Sequence, residues 1–322
     1  MHLIYSTFGK AKMKHRTIYA TLILSTLFWG ANFNLGKFVV HTTDPLSAAA
    51  WRFLLAGLAM AAYMLAAEGV DWQGLRRNFF ALLAMAAVGI FGFNVAFFFG
   101  LQTTSSVNGS LIMTLNPTIT VVLTALVLGE AISWKQVLGL ALSFCGVVTV
   151  VSGGNLAALL AHFHFAVGDA LILIGNLCWA AYSVIGKKWV KNLSPIQTTT
   201  STMLIGALAM VAVALSAHGG SLPVPSAQSL GAIAAMAMFG TVLAYLWWNN
   251  GIRTIGPART SVFFDLVPIF TMIIAIMLGE HVTPAQFVGA VLVISGVLFS
   301  SGALDAWLSQ MRAAKQPCQT PA

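Results

Sequence analysis

The sequence predicts an all-α membrane protein of ten transmembrane helices, arranged as two inverted five-helix repeats. Three observations carry this prediction. Charged residues make up 7% of the 322-residue chain and hydrophobic residues 58%, too little charge to cover a soluble protein of this length. The apolar runs are continuous and roughly 20 residues long, as helical spans require. Transmembrane β-strands would instead read as alternating segments of about 10 residues. Finally, the chain contains itself twice, 150 residues apart. Ala20-Thr21-Leu22-Ile23-Leu24 with Trp29, Gly36 and Lys37 returns as Ala170-Leu171-Ile172-Leu173-Ile174 with Trp179, Gly186 and Lys187. Leu128-Gly129-Glu130, followed by Gln136, Gly139 and Gly146, returns as Leu278-Gly279-Glu280, followed by Gln286, Gly289 and Gly296. A long apolar unit repeated in this way is the pattern of a transporter-type membrane module present in two copies.

The spans are predicted at 17–40, 45–67, 79–101, 105–127, 134–152, 167–187, 195–217, 228–250, 258–278 and 285–304. They divide into a first repeat, 17–152, and a second, 167–304, with a cytoplasmic segment at 1–16 and a cytoplasmic tail at 305–322. The longest connections, 153–166 and 218–227, contain no Lys or Arg. With the N-terminus in the cytoplasm, 14 of the 16 basic residues fall on the inner side, and Lys37 and Arg52 are the exceptions. That bias predicts both termini inside. It also explains the net charge of +8 as loop anchoring rather than as a nucleic-acid footprint. Five spans per repeat is an odd number, so the second copy enters the membrane from the opposite side. No cleavable signal is evident, and Met13 serves as a start as well as Met1 does. Cys145 and Cys178 lie within apolar segments and Cys318 near the end, so no disulfide framework is implied.

In the first span Ser25, Trp29, Asn32 and Gly36 share one helix face, and in the sixth Gly175, Trp179, Tyr182 and Gly186 repeat it. Polar groups at such depth usually face the bundle interior, which makes Trp29, Asn32, Trp179 and Tyr182 candidates for a central pathway. The plain alternative is close glycine packing with tryptophan as filler. In the third and eighth spans Asn94 corresponds to Tyr245, and Phe97-Phe98 to Trp248-Asn249. Tyr245 and Trp248 could form a stacking wall for an amphipathic solute; an interfacial aromatic belt is the alternative for Trp247 and the two asparagines, because the span is predicted to end there.

The fourth and ninth spans carry Ser110, Thr114 and Pro117, and Ser261, Asp265 and Pro268. The prolines free backbone carbonyls and permit a bend. Thr114 is a pathway candidate. Asp265 is the one acidic residue clearly inside a span, so it is a candidate for proton coupling; the alternative is an ion pair with Arg253 or Arg259. Asp169, at the start of the sixth span, reads as an N-terminal cap. Arg52 either binds a substrate carboxylate or reaches outward to Asp44, and Lys37 poses the same choice. Glycines in the fifth and tenth spans mark close packing, as a scaffold or as a homodimer face.

Enzyme signals fail. Gly30 to Lys37 has one residue too many for a phosphate-binding loop, and Phe38 stands where Ser or Thr is required. No metalloprotease, nucleophile-elbow or Cys-x-x-Cys motif is present, and none that would hold a cofactor. His162 and His164 share a loop without a third ligand nearby. No catalytic residue and no metal site is expected.

Several local motifs nevertheless recur together. They are Trp29-Gly30-Ala31-Asn32, Trp51-Arg52-Phe53, Leu115-Asn116-Pro117 before Leu128-Gly129-Glu130, and Leu266-Val267-Pro268 before Leu278-Gly279-Glu280. With the ten spans and the repeat, the chain resembles the EamA branch of the drug/metabolite transporter superfamily over nearly all of residues 17–304. The resemblance implies a bacterial inner-membrane carrier, mostly exporting amino acids or related small metabolites, with a small-molecule substrate and the lipid bilayer as partners. Related carriers of phosphorylated sugars use basic residues deep in the pathway, a role open here to Lys37 and Arg52. The small four-span multidrug relatives use a Glu in the first span, which this chain lacks. A cavity with Arg or Lys and amides would favour amino acids; an acidic, aromatic-lined one would favour efflux of cationic drugs.

Overall fold

The computed structural model describes residues 15–152, 154–155, 166–279 and 281–300. The helices in chain order are α1 (His15–Val40), α2 (Pro45–Ala67), α3 (Phe79–Thr103), α4 (Ser106–Leu128), α5 (Trp134–Val151), α6 (Val167–Trp189), α7 (Pro195–Ala217), α8 (Ala227–Ile255), α9 (Pro257–Met277) and α10 (Pro284–Ser300). A short helix, Trp72–Arg77, leads into α3. There is no strand among the described residues. Among the described residues eight helices, all but α5 and α10, are long and apolar enough to cross a membrane; α10 contributes a shorter apolar stretch, Pro284–Gly296.

Local chemistry sets the helix ends. Asp44 accepts from Ser47 N at 2.9 Å and caps α2, with Pro45 at the first helical position. Ser194 and Pro195 do the same for α7. The duplicated Leu-Gly-Glu motif ends helices: Gly129 (φ 73°) and Gly279 (φ 89°) take the left-handed conformation after α4 and α9.

The surface is inside out relative to a soluble protein. Phe80, Leu126, Leu208 and Met277 are largely exposed, while Asn94, Asn176, Thr199 and Thr241 are fully buried. In lipid this is the stable arrangement, because polar groups find partners only in the bundle interior. The protein is a multi-pass membrane protein.

Repeat counterparts pack against one another. The cap of α2, Asp44, lies 3.6 Å from His218, just beyond the end of α7. At the other end the cap of α7, Ser194, donates to Glu68, just beyond the end of α2. The two helices therefore run antiparallel. So do α5 and α10: a side chain at Gly146 would meet the Gly289 carbonyl at 2.7 Å, and one at Gly296 would meet the Gly139 carbonyl at 2.5 Å. The glycine seam read from the sequence is thus an intrachain contact between α5 and α10.

Two helix irregularities also recur. A π-helical turn interrupts α3 at Ala86–Gly92 and α8 at Met238–Leu243. A 3-10 turn interrupts α4 at Met113–Leu115 and α9 at Val262–Leu266, shortly before Pro117 and Pro268. The prolines account for the second pair. The π turns carry no proline; each sits where a bulky group presses on a glycine, Tyr182 on Gly89 and Asn32 on Gly240.

Within the described residues the span boundaries follow the sequence closely except in α8; the expected end of the tenth span at 304, most of the segment 1–16 and the tail 305–322 lie outside them. This helix runs to Ile255 rather than stopping near 250. Trp248 and Asn249 are therefore buried interior residues and not part of an interfacial belt. Trp247 is half-buried and stacks on Phe28 at 6.1 Å. His162 and His164 lie outside the described residues.

Candidate functional site

The repeat places two tryptophans face to edge at the centre of the bundle. Trp29 of α1 and Trp179 of α6 have ring centroids 5.5 Å apart at 83°. Trp29 also stacks on Phe264 at 4.9 Å and meets Trp248 edge-on at 4.8 Å. Trp179 stacks on Tyr182 at 5.1 Å, nearly parallel, and meets Tyr245 edge-on at 4.8 Å. The Trp29 indole N–H donates to the Gly240 carbonyl at 2.9 Å. The π turn supplies that carbonyl, since a widened turn leaves carbonyls free of their usual helical partners.

Trp29, Asn32, Arg52, Trp179 and Tyr245 line one small cavity, together with Phe33, Phe93, Phe97, Met113 and Phe264. It offers about 20 Å³ to water, room for about one molecule. That is too little space for a metabolite.

Arg52 is the decisive member. It is 2% exposed, and it turns inward rather than toward Asp44, which is occupied as a helix cap near His218. Its Nε donates to Thr241 Oγ1 at 2.8 Å and its Nη1 to Asn94 Oδ1 at 3.3 Å. The guanidinium also lies over the Phe53 and Phe98 rings, 5.4 and 5.9 Å from their centroids. All its contacts are neutral; among the described residues no carboxylate pairs with it. A guanidinium has five N–H donors, and two of them are used here. Asn94 is fixed in turn by donating to the Ile90 carbonyl within the α3 π turn, 2.8 Å away. The Tyr245 hydroxyl sits beside Asn94 and in the field of Arg52. The Trp179 indole N–H is buried without a partner. The polar inventory of the cavity is therefore dominated by donors.

Other expected site residues lie close by but outside the lining. Tyr182 backs Trp179 and accepts a 2.8 Å hydrogen bond from Asn249. Trp248 packs behind Trp29. Thr114 is buried and donates to the Leu111 carbonyl at 2.6 Å, so its hydroxyl is spent locally; its neighbour Met113 reaches the cavity instead. Asp265 is 1% exposed, behind the lining residue Phe264. The alternative, an ion pair of Asp265 with Arg253 or Arg259, does not form among the described residues: both arginines are exposed, and Oδ1 of Asp265 has no hydrogen-bond partner. Lys37 donates to the carbonyls of Leu101 and Thr104 at 2.8 Å each, at the end of α3. Asp169 is in the first turn of α6 and accepts from Thr104 rather than capping its own helix. Ser25, Gly36 and Gly175 serve helix packing.

The sequence reading missed Phe93, Met113, Phe264 and Thr241, which are ordinary residues in apolar helices. It also missed a buried amide pair, Asn116 donating to Asn176 at 2.7 Å, that joins α4 to α6. Among the described residues no cluster of three or more His, Cys, Asp or Glu is placed to hold a metal.

The duplicated module, with its paired tryptophans and recurring helix breaks, matches the model of the EamA-like transporter family at residues 16–152 and again at 166–302. The chain belongs to this family. An uncharacterized transporter of Bacillus subtilis (strain 168), YyaM, is 45% identical over 293 residues, covering 91% of this chain and 96% of the relative. The uncharacterized inner membrane transporter YedA of Escherichia coli (strain K12) is 24% identical, covering 88% of this chain and 91% of the relative. A chloroplastic WAT1-related protein of Arabidopsis thaliana is 28% identical over 87% of this chain and 68% of its own length. One solved crystal structure shares the fold at a TM-score of 0.68, with 18% identity over 91% of this chain and 99% of that chain. Family membership makes the protein a transporter.

Proposed function

We propose that this EamA-like protein is a secondary transporter of a bacterial inner membrane that exports a small amphipathic carboxylate, an amino acid in the simplest case, by alternating access. One observation carries the reading: Arg52, a buried cation without a counter-ion among the described residues, lines a cavity walled by aromatic rings. A carboxylate would supply the missing partner as a charge-assisted, two-pronged contact. The apolar part of the substrate would lie against Trp29, Trp179, Tyr245 and Phe264.

The proposed frame has ten spans, both termini in the cytoplasm, and two repeats related by an axis in the membrane plane. The antiparallel pairing of α2 with its counterpart α7, and of α5 with α10, supports that axis. Such repeats can rock against each other about a fixed central site, and widening of the 20 Å³ cavity would be one stage of that cycle.

A drug or toxic-cation exporter is the rival reading. A cation carrier needs an acidic lining, and no carboxylate lines this cavity. An intramembrane enzyme is disfavoured because the lining holds no nucleophile beside a base. The test is a ligand series on purified protein. Phenylalanine and 3-phenylpropionate should raise the melting temperature, and phenethylamine, which lacks the carboxylate, should not. Stabilisation by the amine alone would favour the cation exporter.

Within this reading Asp265 couples transport to protons. Holding an unpaired carboxylate charged at this depth is costly, and taking up a proton removes the charge. Asp265 sits in the 3-10 turn of α9 beside the cavity, and the corresponding residue of the first repeat, Thr114, cannot titrate. In liposomes Asp265→Asn should keep downhill exchange and lose accumulation driven by a pH gradient. Accumulation at the wild-type level would remove Asp265 from the mechanism, and loss of folding together with all transport would mark it as structural.

A further inference from the structure

A second cavity, of about 530 Å³, opens where the C-terminal end of α6, the loop after it, the start of α7 and the end of α8 meet. Its volume falls in the range of ligand sites, whereas the central cavity has room for about one water. Lys187, Lys191 and Arg253 line it, and no acidic residue does. None of the three cations forms an ion pair among the described residues. Glu68, just beyond the end of α2, accepts from Ser194, one of the lining residues. The floor is polar and leads inward. Asn249, one of the lining residues, donates to Tyr182 at 2.8 Å and to Thr199 at 2.7 Å. Tyr182 is stacked on Trp179, which lines the central cavity. The two cavities are thus separated by a short relay of side chains, Asn249, Tyr182 and Trp179.

From this we infer that the vestibule is a loading site, in which Lys187, Lys191 and Arg253 capture the anionic group of the substrate before it passes to Arg52. The inference rests on the function proposed above. Charges arranged around a watery cleft act mainly on encounter, raising the association rate and making it depend on salt. Passage inward then requires the Asn249–Tyr182 hydrogen bond to break and the aromatic pair behind it to part, so the relay doubles as the inner gate.

The same cations could instead hold phosphate headgroups of anionic lipid, and the experiment separates the two sources. The full-length protein is placed in nanodiscs of phosphatidylcholine alone, or with phosphatidylglycerol added. Binding of 3-phenylpropionate is followed by stopped-flow quenching of tryptophan fluorescence. The variant combines Lys187→Gln, Lys191→Gln and Arg253→Gln; these residues are exposed or half-exposed and unpaired, and folding is checked by gel filtration. In phosphatidylcholine the variant should associate about fivefold more slowly than wild type at low salt. The gap should close as ionic strength rises. Equal association rates in phosphatidylcholine, with phosphatidylglycerol retention reduced in the variant, would overturn the loading site in favour of a lipid site. Equal rates with no change in lipid retention would overturn it outright while leaving the proposed substrate class intact. If wild type binds no carboxylate probe in either disc, the substrate class itself fails and the loading site with it.

Discussion

Arg52→Gln is expected to weaken carboxylate binding about 30-fold and to slow exchange accordingly, while leaving the protein folded in the membrane. Glutamine keeps a donor and an acceptor within reach of Thr241 and Asn94, the two side chains that hold Arg52, so the interior is not left with orphaned polar groups. What it removes is the positive charge. Losing one partner of a buried, hydrogen-bonded charge contact costs roughly 2 kcal/mol or more, about a 30-fold rise in Kd for 3-phenylpropionate. Arg52→Lys should restore part of the affinity, because an ammonium keeps the charge without the planar fork. Equilibrium binding to purified protein, with gel filtration to confirm folding, reads both effects. Unchanged affinity in the glutamine variant would remove Arg52 from the site.

Gly146→Leu is expected to have the largest effect on stability. A Cβ added there would stand 2.7 Å from the Gly289 carbonyl, 2.8 Å from Val293 Cγ2 and 3.0 Å from Val293 N. Two of these three neighbours are backbone atoms of α10, which cannot swing aside as a flexible side-chain end would. The helices must separate, at a cost of about 1–3 kcal/mol or more for overpacking, and they lose the close contact that small residues provide in lipid. The variant should show a lower melting temperature and less folded monomer after extraction. Phe144→Ala, on the exposed side of α5, serves as the control and should change little. A melting temperature equal to wild type for Gly146→Leu would mean that α5 and α10 do not pack along their glycines.

These two residues also mark what could be read before the fold was known. The α5–α10 seam was legible because glycines spaced by seven residues have few uses in an apolar helix, and their recurrence in both repeats ruled out chance. The helix ends were legible for a similar reason: Asp44-Pro45, Ser194-Pro195 and the two Leu-Gly-Glu motifs are local chemistry, decided within one turn. Trp29 and Trp179 could be assigned to the interior because the repeat put both on matching faces. Arg52 could not be resolved that way. Whether it reached outward to Asp44 or inward depended on Thr241 and Asn94, which lie 189 and 42 residues away. Phe264 and Met113 were invisible because an apolar residue in an apolar helix carries no mark of which side faces protein. The π turns were also hidden: they arise from contacts between helices, Tyr182 against Gly89 and Asn32 against Gly240, and no proline announces them. The extent of α8 was misjudged because Trp-Asn-Asn reads as an interface, whereas Trp248 and Asn249 are buried against α6 and α7.

The proposed cycle also constrains how the ends of the bundle behave. Asp44 with His218 at one end, and Ser194 with Glu68 at the other, are equivalent positions of the two repeats. Each ties the start of one helix of the α2–α7 pair to the end of the other. Neither contact is buried, so each is weak enough to break and reform as the repeats move.

Counterflow in liposomes tests the central claim most directly. Purified protein is reconstituted, the vesicles are loaded with an unlabelled amphipathic amino acid, and the same labelled compound is presented outside at trace concentration. A carrier that binds carboxylates at Arg52 and exposes the site alternately should give transient accumulation of label above equilibration. The accumulation should be far slower with Arg52→Gln and absent when the corresponding amine replaces the amino acid. Accumulation of the amine at the same rate, or of the amino acid through the Arg52→Gln protein at the wild-type rate, would contradict the account.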